Sequence, residues 1–285
     1  GKSVDSWCKQ SKLDWEYKLG DACFQANDKK KTITQMPTRK IIFRDDIPNE
    51  PPLPLSIVSN KYKVVQPKTI IEFFHDIVST GGFDIETIGQ TRRGKKLWAL
   101  ASTGLEDKVG KDDKIKLYVL VATSCDLSLP TIASARTIRL FCTNQIPMLV
   151  RNASKGKLGV GSQKDPGVQI RIPHLATFDR EAVKAQLGQV TENFPIFMKD
   201  CNRLAQAKLT DRQVDEILVE TFGEFERNED GKSKKRIINT IDEIMVSAPG
   251  QTVKTAKGTA WGVVNAVSYF CDHERSARSN DTRFD

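Results

Sequence analysis

The sequence predicts an α+β protein: an antiparallel β-sheet with a basic hairpin packed against helices, followed by a helical C-terminal half. Three observations carry this. Between Phe83 and Asn144 apolar residues alternate at period two, β-branched and aromatic side chains are frequent, and Gly or Pro stands at the reversals. After Phe178 the apolar spacing changes to that of helices. The cations are also unevenly placed. Arg92, Arg93, Lys95 and Lys96 crowd one hairpin tip, and from Leu127 to Lys164 there is no acid beside Arg136, Arg139, Arg151, Lys155, Lys157 and Lys164. A basic-tipped sheet followed by an acid-free basic segment is the electrostatic footprint of a polyanion partner.

In chain order, residues 1–35 are polar and lysine-rich, with Trp7, Trp15, Tyr17 and Phe24 interleaved and a basic run at Lys29, Lys30 and Lys31. This reads as a short helix and a turn within a solvated arm whose aromatics pin it to the body, rather than as bases' stacking partners. RKIIFR at Arg39–Arg44 is a strand, and DDIPNEPPLPLSIV must be largely extended, because each Pro disfavours helix in its predecessor. VSNKYKVVQP reads as a short strand ended by Pro67. Thr69–Thr80 has the spacing of an amphipathic helix ended by Gly81 and Gly82, with His75 on it as a partly buried structural residue.

FDIETIGQTRRGKKLWALAST is then a hairpin, with Trp98 read as a core residue near its tip, and GLEDKVGKDDK a polar loop. KIKLYVLVATSC and ASARTIRLFCTN are strands around the turn DLSLP. NASKGKLGVGSQKDPG is a Gly- and Ser-rich loop, and VQIRIP a short strand closing the sheet. The helical half contains REAVKAQLGQVTENFPIFMKDCNRLAQAKL, interrupted by Pro195, then a helix capped by Thr210, then KKRIINTIDEIMVS ended by Pro249 and Gly250, then TAKGTAWGVVNAVSYFCDHERSARS. The expected division is an arm and proline-rich connector over 1–57, a nucleic-acid-binding α+β core over 58–175, and a helical region over 176–285.

The 285 residues carry a net charge of +8 with pI ≈ 9.1, 39% hydrophobic and 28% charged residues, ordinary for a soluble globular protein. No apolar run of membrane-spanning length occurs, and the N-terminus has no apolar signal region. The six cysteines contain no C-x-x-C pair, which fits the reducing cytoplasm of a bacterial host. Chemistry-bearing motifs are missing: Gly156, Gly159 and Gly161 lack the spacing of a phosphate loop, and the three histidines lie far apart. We therefore expect no catalytic residue, no metal and no cofactor. The densest polar cluster, Asp272, His273, Glu274, Arg275 and Arg278, reads as a helix C-terminus with favourably placed arginines.

GTAWGVVNAVSYFCDHERSAR, Gly258 to Arg278, closely resembles the signature of a phage- and plasmid-encoded family catalogued as domain of unknown function 932. NKYKVVQPKTIIEFFHDIV and RTIRLFCTN resemble other blocks of it, in the same order. The resemblance covers roughly Val58 to Phe284 and implies a neighbourhood of single-strand binding and recombination genes, with no established catalytic residues to carry over. The order of elements also resembles the β-β-β-α core of single-strand annealing proteins such as the Rad-type annealase, phage Red-beta and Erf, an analogy at the level of fold.

These readings lead to one expectation: a single-stranded-DNA-binding, annealing protein of a phage or plasmid, promoting strand pairing in recombination without nucleotide hydrolysis. It would act as a homo-oligomeric ring or filament, with a single-strand binding protein or exonuclease as further partners and no membrane. The expected DNA contacts are Arg92, Arg93, Lys95, Lys96, Arg136, Arg139, Arg151, Lys155 and Lys157. The alternatives are a metal-dependent nucleic-acid-processing enzyme centred on Asp272–Arg278, and a host-interaction protein with a basic face.

Overall fold

The structure is a computed structural model and describes residues 3–27, 29–125, 129, 131–139, 169–172 and 180–274. The side chains of Arg136, Ile138, Arg139, 169–172, Arg180, Ala182, Val183, Asp272 and His273 are outside the description. The described residues are α+β, with an antiparallel three-stranded sheet and a five-stranded sheet. They fall in two compact units, one within 1–103, 118–135 and 153–188, the other within 104–117, 136–152 and 189–285.

The first unit opens with α1 (Val4–Gln10), capped by Ser3 Oγ, which accepts from the Ser6 N–H. Strands β1 (Lys18–Gln25), β2 (Ile33–Arg44) and β3 (Leu53–Ser59) form the three-stranded sheet in that order. The segment expected to be an arm thus holds α1, β1 and the start of β2. Its Trp7, Trp15 and Tyr17 are buried, whereas Phe24 is 51% exposed. The proline-rich connector turns at Ile47–Glu50, with Asn49 left-handed at φ 62°, and only its second half is extended, supplying β3.

Helix α2 (Pro67–Thr80) takes Pro67 at its first turn, where a missing N–H costs nothing. Pro67 therefore opens the helix, and the stretch before it, after β3 and the turn at Asn60, is irregular. The helix buries Ile70, Ile71, Phe74, Ile77 and Val78 on one face, while His75 is exposed, its Nδ1 3.4 Å from Ser79 Oγ. That face joins Trp7, Trp15, Tyr17, Ile42, Leu55, Leu97, Val119, Val121 and Leu187 in the unit's core.

The five-stranded sheet runs β4 (Asp84–Thr91), β5 (Lys96–Val109), β6 (Asp113–Ser124), β7 (Thr131–Arg139) and β8 (Gln169–Ile172), in that order. β8 is the closing strand expected of VQIRIP. The expected loop GLEDKVGKDDK is instead strand on both sides of a three-residue turn. Lys114 and Glu106 pair across it at 2.6 Å, and Val109 and Asp113 are fully buried, so polar alternation here accompanies pairing rather than a loop.

In the second unit, α3 (Arg180–Gln206) starts in the first unit's residues and keeps Pro195 within one helix. Helix α4 (Asp211–Phe222) begins with a complete capping box between Thr210 and Gln213. Helix α5 (Arg236–Ser247) is tied to α4 by Arg227, which donates to Asp215 at 2.7–3.0 Å and to Asp242 at 2.7 and 3.1 Å. Helix α6 (Ala260–Tyr269) buries Trp261, Val263 and Ala266 and continues as a wider turn over Phe270–Glu274.

Candidate nucleic-acid interface

The basic tip between β4 and β5 is a tight left-handed turn. Thr91 pairs with Lys96, and the Lys95 N–H donates to the Arg92 carbonyl at 3.3 Å. Arg93 (φ 57°, ψ 34°) and Gly94 (φ 101°) occupy the two central positions of a type I′ geometry, and Arg92 is also left-handed at φ 51°. Gly94 is required twice over. Its φ is unfavourable for any L side chain, and a Cβ there would stand 2.7 Å from the Trp15 ring.

The turn is held from beneath by the N-terminal segment. Tyr17 Oη donates to the Gly94 carbonyl at 2.5 Å, and burial pushes the Tyr17 phenol far above its ordinary range, so it stays a donor. Arg44 is 6% exposed, lies 3.8 Å from the centre of the Trp15 ring, and donates to the Arg93 carbonyl at 3.2 Å and to Gln90 Oε1 at 3.1 Å. Its other face makes a two-pronged contact with Asp46, at 2.7 and 2.5 Å, and this holds the Asp46 carboxyl below its ordinary range. The sequence marks RKIIFR as a strand but does not mark Arg44 as the turn's support. An Arg ending an apolar strand before DD says nothing about a partner 49 residues away.

The four tip cations therefore differ. Arg92 and Arg93 are exposed, Lys95 is half-buried, and Lys96 is only 4% exposed and withdrawn from the surface. Arg93 forms an ion pair with Glu50, both side chains about half exposed. Trp98, next along β5, is half-buried across from Gly89, with its indole N–H buried and unpartnered among the described residues. Arg136 and Arg139 lie on β7, their side chains outside the description, while Arg151, Lys155 and Lys157 lie outside the described residues altogether.

A second basic turn emerges where an arm is expected. β1 and β2 continue beyond the reach of β3 as a two-stranded ribbon, pairing Cys23, Phe24 and Gln25 with Gln35, Thr34 and Ile33. Lys29, Lys30 and Lys31 sit exposed at its turn, with Lys31 at φ 50°. The segment Lys18–Lys40 holds six cations and two acids, net +4 of the chain's +8.

The described part of the signature, Gly258–Glu274, has a packing role within the second unit. Thr259 Oγ1 caps α6 by accepting from the Gly262 N–H at 3.1 Å, and a Cβ on Gly262 would collide with the Ala256 carbonyl. Trp261 Nε1 donates to the buried Asp113 at 2.8 Å, and Gln251 Nε2 to the Gly262 carbonyl at 3.1 Å. Of the polar cluster that ends it, Arg275 and Arg278 lie outside the described residues. Among the described residues no three His, Cys, Asp or Glu side chains gather as a metal-holding group, and no helix is long and apolar enough to cross a membrane.

Neither a curated protein nor a solved structure matches the chain. A family model does, over residues 54–285, which takes in α2, both strands of the left-handed basic turn and the whole signature. The chain belongs to the family described as Domain of unknown function (DUF932).

Proposed function

We propose that this protein binds single-stranded DNA by its phosphates and promotes annealing in the recombination of a phage or plasmid, as a homo-oligomer needing no nucleotide hydrolysis. The observation that carries the reading is the pair of left-handed arginines at the β4–β5 turn. A type I′ turn favours Asn-Gly. Two arginines with positive φ cost about 1 kcal/mol each relative to residues suited to that region. Strain of this kind is retained where the side chain serves something outside the turn.

The guanidinium fork suits phosphate, and annealing asks for neutralised phosphates with base edges left free to pair. Arg93's pair with Glu50 is no obstacle, since an ion pair this exposed is worth little and exchanges readily for a phosphate. The edge strands β3 and β4, which pair on one side only among the described residues, are suitable for contacts between copies.

The test is the double variant R92N/R93N, which keeps the turn and relieves its strain. We expect its melting temperature to equal or exceed that of the parent, while affinity for an oligo-dT strand falls. Its log K against log salt slope should become shallower by roughly 1.4, about 0.7 for each phosphate no longer neutralised. An unchanged affinity would remove the turn from the interface.

A further inference from the structure

We propose that the ribbon formed by the far ends of β1 and β2 is a second contact for single-stranded nucleic acid. In it Lys29, Lys30 and Lys31 grip the backbone and Phe24 stacks on an unpaired base. The proposal rests on the single-strand-binding reading above and extends it to a segment that precedes the family-matched residues 54–285.

Beyond Asp21 the ribbon has no third strand among the described residues, because β3 pairs only with Arg39–Arg44 of β2. A two-stranded ribbon is marginal in water unless one face is covered. Here neither face is. Adjacent pairs point to opposite sides, so Phe24 with Thr34 faces one way and Gln25 with Ile33 the other, yet Phe24 is 51% and Ile33 72% exposed.

The ribbon is nonetheless positioned. Tyr17, just before β1, exchanges two hydrogen bonds with the Gln66 side chain, at 2.8 and 3.0 Å. Between the pairs Asp21–Lys40 and Cys23–Gln35, β1 advances two residues and β2 five, a wide irregularity containing Pro37. The Asn60 N–H and side-chain amide fasten this irregularity by donating to the Thr38 and Pro37 carbonyls. Irregularities of this sort bend a strand pair and re-aim its end.

Charge selects the occupant. Lys40 and Lys18 pair with Asp21 and Asp45 near the ribbon's base. Lys29, Lys30 and Lys31, and Arg39 at the bend, are exposed and form no ion pair with a carboxylate among the described residues. A net +4 segment with an accessible aromatic ring matches the two demands of an unpaired polynucleotide, phosphate neutralisation and a flat surface for a base. A duplex keeps its bases stacked and offers the ring nothing. A second copy of this chain would bring another net +4 ribbon against this one.

The experiment compares oligo-dT and duplex binding to the full chain and to F24A, F24W, K29A/K30A/K31A and R92N/R93N, with melting curves for each. We expect F24A to weaken oligo-dT binding about fivefold or more. F24W should restore it, with indole emission quenched as the strand is added. The lysine variant should flatten the salt slope by about 2, roughly 0.7 per lysine. All ribbon variants should melt with the parent, because the residues changed are exposed.

Parent-like binding by the ribbon variants alongside weakened R92N/R93N would overturn the ribbon proposal and leave the single-strand reading standing. A parent chain that binds no oligo-dT would overturn both. Equal losses on duplex would overturn the assignment to unpaired strands, and ribbon variants that alter only the sedimentation of DNA-free protein would assign the ribbon to self-association instead.

Discussion

Two basic turns in the same unit show how differently a cluster of cations can be used. The turn at Arg92–Lys96 is built into the core. Tyr17, Arg44 and Gly94 fix its backbone, Lys96 is buried, and Arg93 already has a carboxylate beside it. The turn at Lys29–Lys31 has no such support among the described residues, and its three lysines are all exposed. The first gives few cations at fixed positions, and the second gives more at looser ones. A backbone already fixed has little more to lose on binding beyond its arginine side chains' own freedom, whereas a loosely held ribbon loses backbone freedom as well. Linear charge density is thus a poor guide to availability, and the packing beneath a turn decides what it can offer.

The difference between the turns is tested by removing the support beneath the one and the cations of the other. The largest effect should come from G94A, which forces a side chain into φ 101° and against Trp15. We expect a loss of about 3 kcal/mol or more of folding stability, read by denaturant titration. A neutral G94A would mean that the turn is not clamped. Next is Y17F, which leaves the buried Gly94 carbonyl without its donor and should cost about 1–2 kcal/mol.

A smaller effect concerns pH. Arg44 holds the Asp46 carboxyl below its ordinary value, so the pairing contributes stability that is fully present above the ordinary aspartate range and is lost as pH falls through the depressed one. D46N should therefore be less stable than the parent at neutral pH, and the difference should shrink in acid. A gap that stayed constant with pH would deny the pairing its role. The smallest effect belongs to K29A/K30A/K31A, whose stability should stay within about 0.5 kcal/mol of the parent. A large loss there would show that the ribbon is packed after all.

What can be read from the sequence is local. The capping box at Thr210 and Gln213, the amphipathic face of α2 and the alternation of β4 to β7 each declare themselves within a few residues. β1 is not legible in this way, because KLGDACFQ is a poor strand by propensity and pairing with β2 imposes the conformation. Only the tip of the long β5–β6 hairpin, GLEDKVGKDDK, reads as a loop, because its residues are mostly charged and pair across strands, as with Glu106 and Lys114.

The tip arginines are legible as charge. Their left-handed backbone, the withdrawal of Lys96 and the support from Arg44 depend on partners dozens of residues away, which spacing cannot reveal. The role of Trp261 depends likewise on Asp113, 148 residues earlier.

The most direct measurement is equilibrium binding of the purified chain to oligo-dT and to duplex over a range of salt concentrations. If cations of the strand-rich unit hold an unpaired backbone, single strands will bind more tightly than duplex, and log K will fall linearly with log salt at about 0.7 per phosphate neutralised. Absence of binding, or affinity indifferent to salt, would contradict it.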